Sequence, residues 1–259
     1  MATARINGTD INFLDTGGPG PVVILSHGFL MDHTMFEPQV VELRSTHRVI
    51  TWDERGFGGT KATGEFTYWD SARDVLGLMD HLGIESAIVG GMSQGGFLSM
   101  RVALTAPERV RGLILIDTQA GTEDPANVEG YGQLHSAWLA HGSSAVQDVI
   151  AGIILGAGDW QSWFDKWAVL PSEQFTYAFN CLMNRDDITD RLGEISAPTL
   201  IVHGDADAAI PVAKAEVLRD RIAGPTELVV VAGGSHAANL THPGPTNAAI
   251  RAFVDRLGR

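Results

Sequence analysis

Six short runs of apolar, largely β-branched residues punctuate the chain, each closed by turn residues. They are 21–28 (PVVILSHG), 47–53 (HRVITWD), 86–91 (SAIVGG), 111–117 (RGLILID), 198–205 (PTLIVHGD) and 226–234 (TELVVVAGG). Continuous apolar runs suit strands covered on both faces, as in a parallel sheet. The earlier stretch 4–15 mixes polar and apolar positions around Asn7–Gly8, which predicts an edge hairpin. Helical spacing fills the gaps between the runs. Residues 68–83 place Ala72, Val75, Leu76, Met79 and Leu82 on one face, with Gly83 as a stop; 94–110 is apolar on most sides. Residues 212–224 and 244–258 are amphipathic. Strands alternating with helices predict an α/β fold with a mostly parallel central sheet flanked by helices.

The segment 119–195 breaks this rhythm. It lacks a comparable strand-like run and carries Trp138, Trp160, Trp163 and Trp167, four of the six tryptophans. It reads as a helical cap inserted between two core strands, giving a core at 1–118 and 196–259 with a cap at 119–195. At 259 residues and 44% hydrophobic content, one core with an insertion is expected rather than two equal domains.

A formal net charge of −13 argues against nucleic acid or an anionic membrane as a partner. Cys181 is the only cysteine, so an internal disulfide is excluded. The opening stretch has no basic patch followed by an apolar one, and no run approaches a membrane span, so a cytoplasmic protein is expected. Homo-oligomerisation stays open.

The chemistry centres on VGGMSQGGF at 89–97, where Gly91-x-Ser93-x-Gly95 follows a predicted strand and opens a predicted helix. Glycines beside a serine on a sharp strand-to-helix turn relieve crowding around a nucleophile, and the helix start favours developing negative charge. A serine hydroxyl needs a base oriented by a carboxylate. Among nine histidines, His236 sits in the loop after the last predicted strand, and LIVHGDADAAIP offers Asp205 and Asp207. The N–H of Gln94, following the nucleophile, is one expected oxyanion donor. No grouping of His, Asp, Glu and Cys has metal-ligand spacing, so neither metal nor cofactor is expected.

The order Ser…Asp…His, the elbow, SHGF at 26–29 and WDERGFGGT at 52–60 together resemble the α/β-hydrolase superfamily, over the whole chain outside 119–195. The resemblance implies a catalytic triad of Ser93, Asp207 (second aspartate of G-D-x-D) and His236. Asp205 and Asp117 are the alternative acids, the latter because some members carry the acid after an earlier strand. It implies Phe29 as the second oxyanion donor, through its backbone. His27 is expected to hold its loop, Arg55 to brace the active-site end, and His203 to pack or bond to backbone. Trp138, Trp163, Trp167 and Phe179 are candidate pocket residues, which favours a hydrophobic or cyclic small-molecule substrate.

Departures from subfamilies narrow the reaction. Ser93 stands where haloalkane dehalogenases and epoxide hydrolases of this fold use aspartate, and Gln94 where dehalogenases have tryptophan. Ala237 follows His236, where carbon–carbon bond hydrolases often carry an aromatic residue. SHGFLMDHTMF and DERGFGG are similar to small bacterial aryl esterases with perhydrolase activity and to enol-lactone hydrolases. The expectation is hydrolysis of a carboxylic ester or lactone, with activity rising with pH as His236 loses its proton. A carbon–carbon bond hydrolase and a non-catalytic ligand receptor of the same fold are the alternatives.

Overall fold

A computed structural model describes residues 1–257. Eight strands form one sheet: β1 (Ala2–Ile6), β2 (Thr9–Asp15), β3 (Val22–Ser26), β4 (Arg48–Trp52), β5 (Ala87–Met92), β6 (Val110–Ile116), β7 (Thr199–Gly204) and β8 (Thr226–Val231). Their order across the sheet is β1-β2-β4-β3-β5-β6-β7-β8. Only β1–β2 and β2–β4 are antiparallel. The pairs from β4–β3 through to β7–β8 are parallel. The hairpin turns on Asn7 and Gly8, whose φ of 48° and 79° give the left-handed pair that a two-residue hairpin loop requires. Every residue of β5 and β7 is buried, so layers cover both faces of the sheet there.

Six helices belong to the strand–helix alternation: α1 (Glu37–Leu43), α2 (Tyr68–His81), α3 (Gln94–Thr105), and, late in the chain, α8 (Ala213–Arg221), α9 (Ala238–Thr241) and α10 (Pro243–Leu257). Thr67 caps α2 in a capping box with Asp70. Gly83, at φ 65°, ends that helix. Of the face expected on α2, Ala72, Val75 and Met79 are buried; Leu78 is fully buried, while Leu76 and Leu82 stay partly exposed. The buried stripe is therefore turned slightly, because α2 packs on α3 as well as on β1.

Between β6 and β7 run four further helices: α4 (Pro125–His141), α5 (Gln147–Ile154), α6 (Gln161–Ala168) and α7 (Ser172–Met183). Asp124 caps α4, with Pro125 in its first turn. Aromatic packing joins these helices: Trp138 lies 4.3 Å from Phe175 and 6.5 Å from Trp167, centroid to centroid. Two contacts fasten them to the loop after β3. Trp167 Nε1–H donates to Leu30 O at 2.6 Å, and Lys166 Nζ reaches Asp32 at 2.8 Å. No helix among the described residues is long and apolar enough to cross a membrane.

Candidate active site

Ser93 sits between β5 and α3 with φ 51° and ψ −114°, a backbone state costing a non-glycine residue about 1–3 kcal/mol. The surroundings hold it there. Ser93 N–H donates to Ile116 O at 2.8 Å, and Ser93 O accepts from Gly96 N–H at 2.8 Å and Thr118 Oγ1 at 2.7 Å. The glycines of VGGMSQGGF answer to close approach. A Cβ on Gly91 or Gly95 would stand 2.4 or 1.9 Å from Ser26 O, and one on Gly96 2.5 Å from Thr118 Oγ1. The turn is thus pressed against β3 and the end of β6, leaving the Ser93 side chain to project the other way.

His236 lies in the loop between β8 and α9. Its Nδ1–H donates to Asp207 Oδ2 at 2.8 Å, which leaves Nε2 to accept from Ser93 Oγ at 3.0 Å. All three side chains are at least nine-tenths buried. Asp207 Oδ1 accepts from the Ala209 and Ile210 N–H groups at 2.8 and 2.9 Å. Burial pushes the Asp207 carboxyl up, but His236, His203 and the Ile210 N–H more than offset it. They hold the group below the usual carboxylate range, fully ionised.

The two other acids have different work. Asp205 Oδ1 accepts from Gly233 N–H at 2.6 Å, joining the ends of β7 and β8. Asp117, at φ 47°, accepts from Gly204 N–H at 2.7 Å and Ala238 N–H at 2.9 Å. It therefore ties the end of β7 to the segment just after His236. Burial, reinforced by Asp207, pushes its carboxyl up to about 7 although His203 opposes the shift.

His27 donates from Nδ1 to Gly28 O at 2.8 Å and accepts the Glu54 N–H at Nε2 at 2.9 Å. Both ring nitrogens are spent on the loop, and burial lowers its pKa. Arg55 reaches Asp74 with Nη2 at 2.8 Å, bracing α2. His203 does more than pack. Its Nε2–H donates to Ile210 O at 2.8 Å and lies 3.2 Å from Asp207 Oδ2. Burial lowers its pKa, but Asp207 and Asp117 raise it further, for a net upward shift. The readable signal was one histidine ending an otherwise apolar strand.

Gln94 opens α3, so its N–H has no acceptor within the helix; Tyr68 Oη donates to its side-chain Oε1 at 3.2 Å. Phe29 lies in the loop after β3. Among the described residues neither backbone N–H donates to a protein acceptor. Two groups of acids and histidines lie close enough to share a cation, Asp32–His33–Asp53 and Asp117–His203–Asp207. Asp53 already accepts from the His33 and Gly59 N–H groups, as Asp117 does from Gly204 and Ala238.

Ser93 and His236 open into a cavity, apolar on most of its wall, with Phe29, Phe97, Phe175, Phe179 and Ile210 among its lining. Phe179 is the one pocket candidate placed there. Trp138, Trp163 and Trp167 are buried outside the lining, which corrects the expectation for them. Trp138 and Trp167 glue helices to one another and to the loop after β3, and Trp163 lies under the Lys166 ammonium at 4.1 Å. Glu123, Tyr131 and His135 line the cavity and were not singled out from sequence. Tyr131 and His135 sit i, i+4 on α4 with Leu134 between them, a helical face that was there to be read.

An eight-stranded, mostly parallel sheet with a serine at the β5–α3 turn places the chain in a known class. Residues 21–243 match the family described as alpha/beta hydrolase fold, and the chain belongs to that family. It is 28% identical over 236 residues to 3-oxoadipate enol-lactonase 1 of Acinetobacter baylyi, covering 86% of this chain and 84% of that one. It is likewise 28% identical to a putative non-heme chloroperoxidase of Synechocystis, with 95% of both chains covered. A thermophilic esterase from Thermogutta terrifontis superposes with a TM-score of 0.88 at 29% identity, covering 99% of this chain and 97% of that one.

Proposed function

We propose that this member of the family is a serine hydrolase, cleaving a carboxylic ester or lactone with an apolar or cyclic moiety through an acyl-enzyme on Ser93. The observation that carries the reading is the hydrogen-bonded chain Ser93–His236–Asp207, at 3.0 and 2.8 Å, opening on an apolar cavity. Similarity to an enol-lactonase and an esterase supports the substrate class.

In this reading His236 Nε2 takes the Ser93 proton as Oγ attacks the carbonyl carbon. Asp207, ionised, stabilises the imidazolium that forms and fixes the tautomer that leaves Nε2 free to accept. The developing oxyanion lies between the Phe29 and Gln94 N–H groups, at the start of α3 where its charge is favoured. His236 then protonates the leaving alcohol as the C–O bond breaks. Water, deprotonated by the same histidine, attacks the acyl-enzyme and releases the acid and the free serine. The segment 119–195 acts as a cap, with α4, α5 and α7 walling the acyl or ring site and excluding water from it.

Turnover of neutral aryl esters, lactones and a vinylogous diketone, with Ser93→Ala alongside, tests the proposal. Ester or lactone hydrolysis lost in the variant is expected. Turnover of the diketone alone would move the assignment to carbon–carbon bond hydrolysis.

A further inference from the structure

The polar part of the cavity wall has a lopsided charge. Among the described residues lining it there is no lysine or arginine, and Glu123 is its one carboxylate. The guanidinium beside it is turned away from use. Arg185, with a side chain 1% exposed, donates to Gly121 O at 3.1 Å and Leu182 O at 2.7 Å, and its Nη2 lies 3.3 Å from Glu123 Oε2. Its guanidinium also stacks 4.5 Å from the Phe97 ring centroid. Arg185 does not line the cavity, so an entering group meets the negative end of this pair.

Apart from Ser93 and His236, the two other polar groups of the lining add no cation. His135 lies flat on Phe179 at 4.2 Å, and burial lowers its pKa, so the ring is neutral at pH 7–8. Burial and the nearby Glu123 push the Tyr131 hydroxyl up to about 12, leaving it a neutral donor. Away from the Phe29 and Gln94 N–H groups, such a wall can hydrogen-bond a carbonyl or hydroxyl, but a carboxylate would be desolvated there with no cation to pair with and a like charge nearby. The net charge of −13 repels anions from farther out.

We infer that this cavity selects uncharged substrates and rejects carboxylate-bearing ones, with Glu123 as the residue that sets the choice. The inference rests on the hydrolase reading and narrows it from esters and lactones generally to neutral ones. Like charges about 6 Å apart, at the effective dielectric of a partly buried site, separate affinities by roughly two decades. Arg185, about 10 Å from that charge because it is bonded to Glu123, offsets more than half of this and brings the expected discrimination to about fivefold.

The test pairs dimethyl adipate with monomethyl adipate, of the same length but with one end ionised, and compares kcat/KM at pH 8. In parallel, calorimetry on Ser93→Ala compares the binding of the same two esters, which reads the same selectivity without turnover. The diester should be preferred by about fivefold in kcat/KM, and it should bind Ser93→Ala tighter than the monoester by a similar factor. In Glu123→Gln both gaps should close or reverse, since Arg185 is then uncompensated. In Glu123→Gln/Arg185→Gln, which removes both charges, they should narrow without reversing. Comparable turnover of both esters, or comparable binding of the two to Ser93→Ala, overturns the inference. So does a gap that neither folded variant narrows. If neither ester is turned over, the hydrolase reading fails by itself, and the calorimetric comparison still decides the selectivity.

Discussion

Replacing Asp207 by Asn keeps the shape of the side chain and removes its charge. Oδ2 lies 2.8 Å from His236 Nδ1. At that separation, with an effective dielectric constant of about 20, a carboxylate stabilises an imidazolium by about 6 kcal/mol. The imidazolium exists only once the Ser93 proton has moved, so this energy belongs to the transition state and not to the resting protein. At 1.36 kcal/mol per decade, its loss corresponds to a rate lowered about 10⁴-fold. The amide also favours the wrong tautomer, with a proton on Nε2 facing Ser93. Stopped-flow or plate hydrolysis of a neutral 4-nitrophenyl ester should therefore show kcat falling by about four decades while KM changes little. Asp205→Asn, which touches only the Gly233 N–H, should stay within about threefold of the wild type. A folded Asp207→Asn protein that keeps more than a tenth of the wild-type kcat would refute this reasoning. If Asp117→Asn alone caused the collapse, the orienting acid would be Asp117.

Two further predictions concern stability. Burial pushes the Glu54 carboxyl up from 4.5 to about 8, although Ser71 opposes the shift. The folded protein therefore holds a proton that the unfolded chain has released, and stability falls as pH rises from about 4.5 to about 8, by a few kcal/mol in order of magnitude. Glu54→Gln should flatten that slope, raising Tm at pH 9 relative to the wild type by several degrees; an unchanged pH dependence of Tm would contradict it. Trp167→Phe removes the donor to Leu30 O and leaves that carbonyl unpaired, costing about 1–3 kcal/mol in urea unfolding. Because Trp167 lies outside the cavity lining, KM should move by less than about twofold.

The sheet was legible because its inner strands are buried on both faces and so carry uninterrupted apolar runs; β3, β4, β7 and β8 each fall within one of the six runs, and β5 and β6 overrun theirs by one residue each. The hairpin was legible for a different reason, since Asn7–Gly8 supplies the positive φ pair its turn needs. The crowding at Ser93 could be inferred from its glycines, but not its source, which is a carbonyl on a strand 65 residues or more away in sequence: Ser26 O. The helices between β6 and β7 were harder to read. An apolar stripe tells which face of a helix is covered, but not whether a loop, another helix or an empty cavity covers it. Trp167 and Phe179 are both large aromatics, yet one bonds the loop after β3 and the other lines the cavity. Glu123 was invisible for the complementary reason, because its meaning depends on Arg185, which chain folding brings to it across 62 positions.

The most direct test of the account is the intact mass of the folded protein after treatment with a fluorophosphonate, beside Ser93→Ala treated in the same way. The geometry of Ser93, His236 and Asp207 predicts a single phosphonyl adduct on the wild type and none on the variant. An unmodified wild type, or an adduct that persists in Ser93→Ala, would contradict the claim that Ser93 is an activated nucleophile.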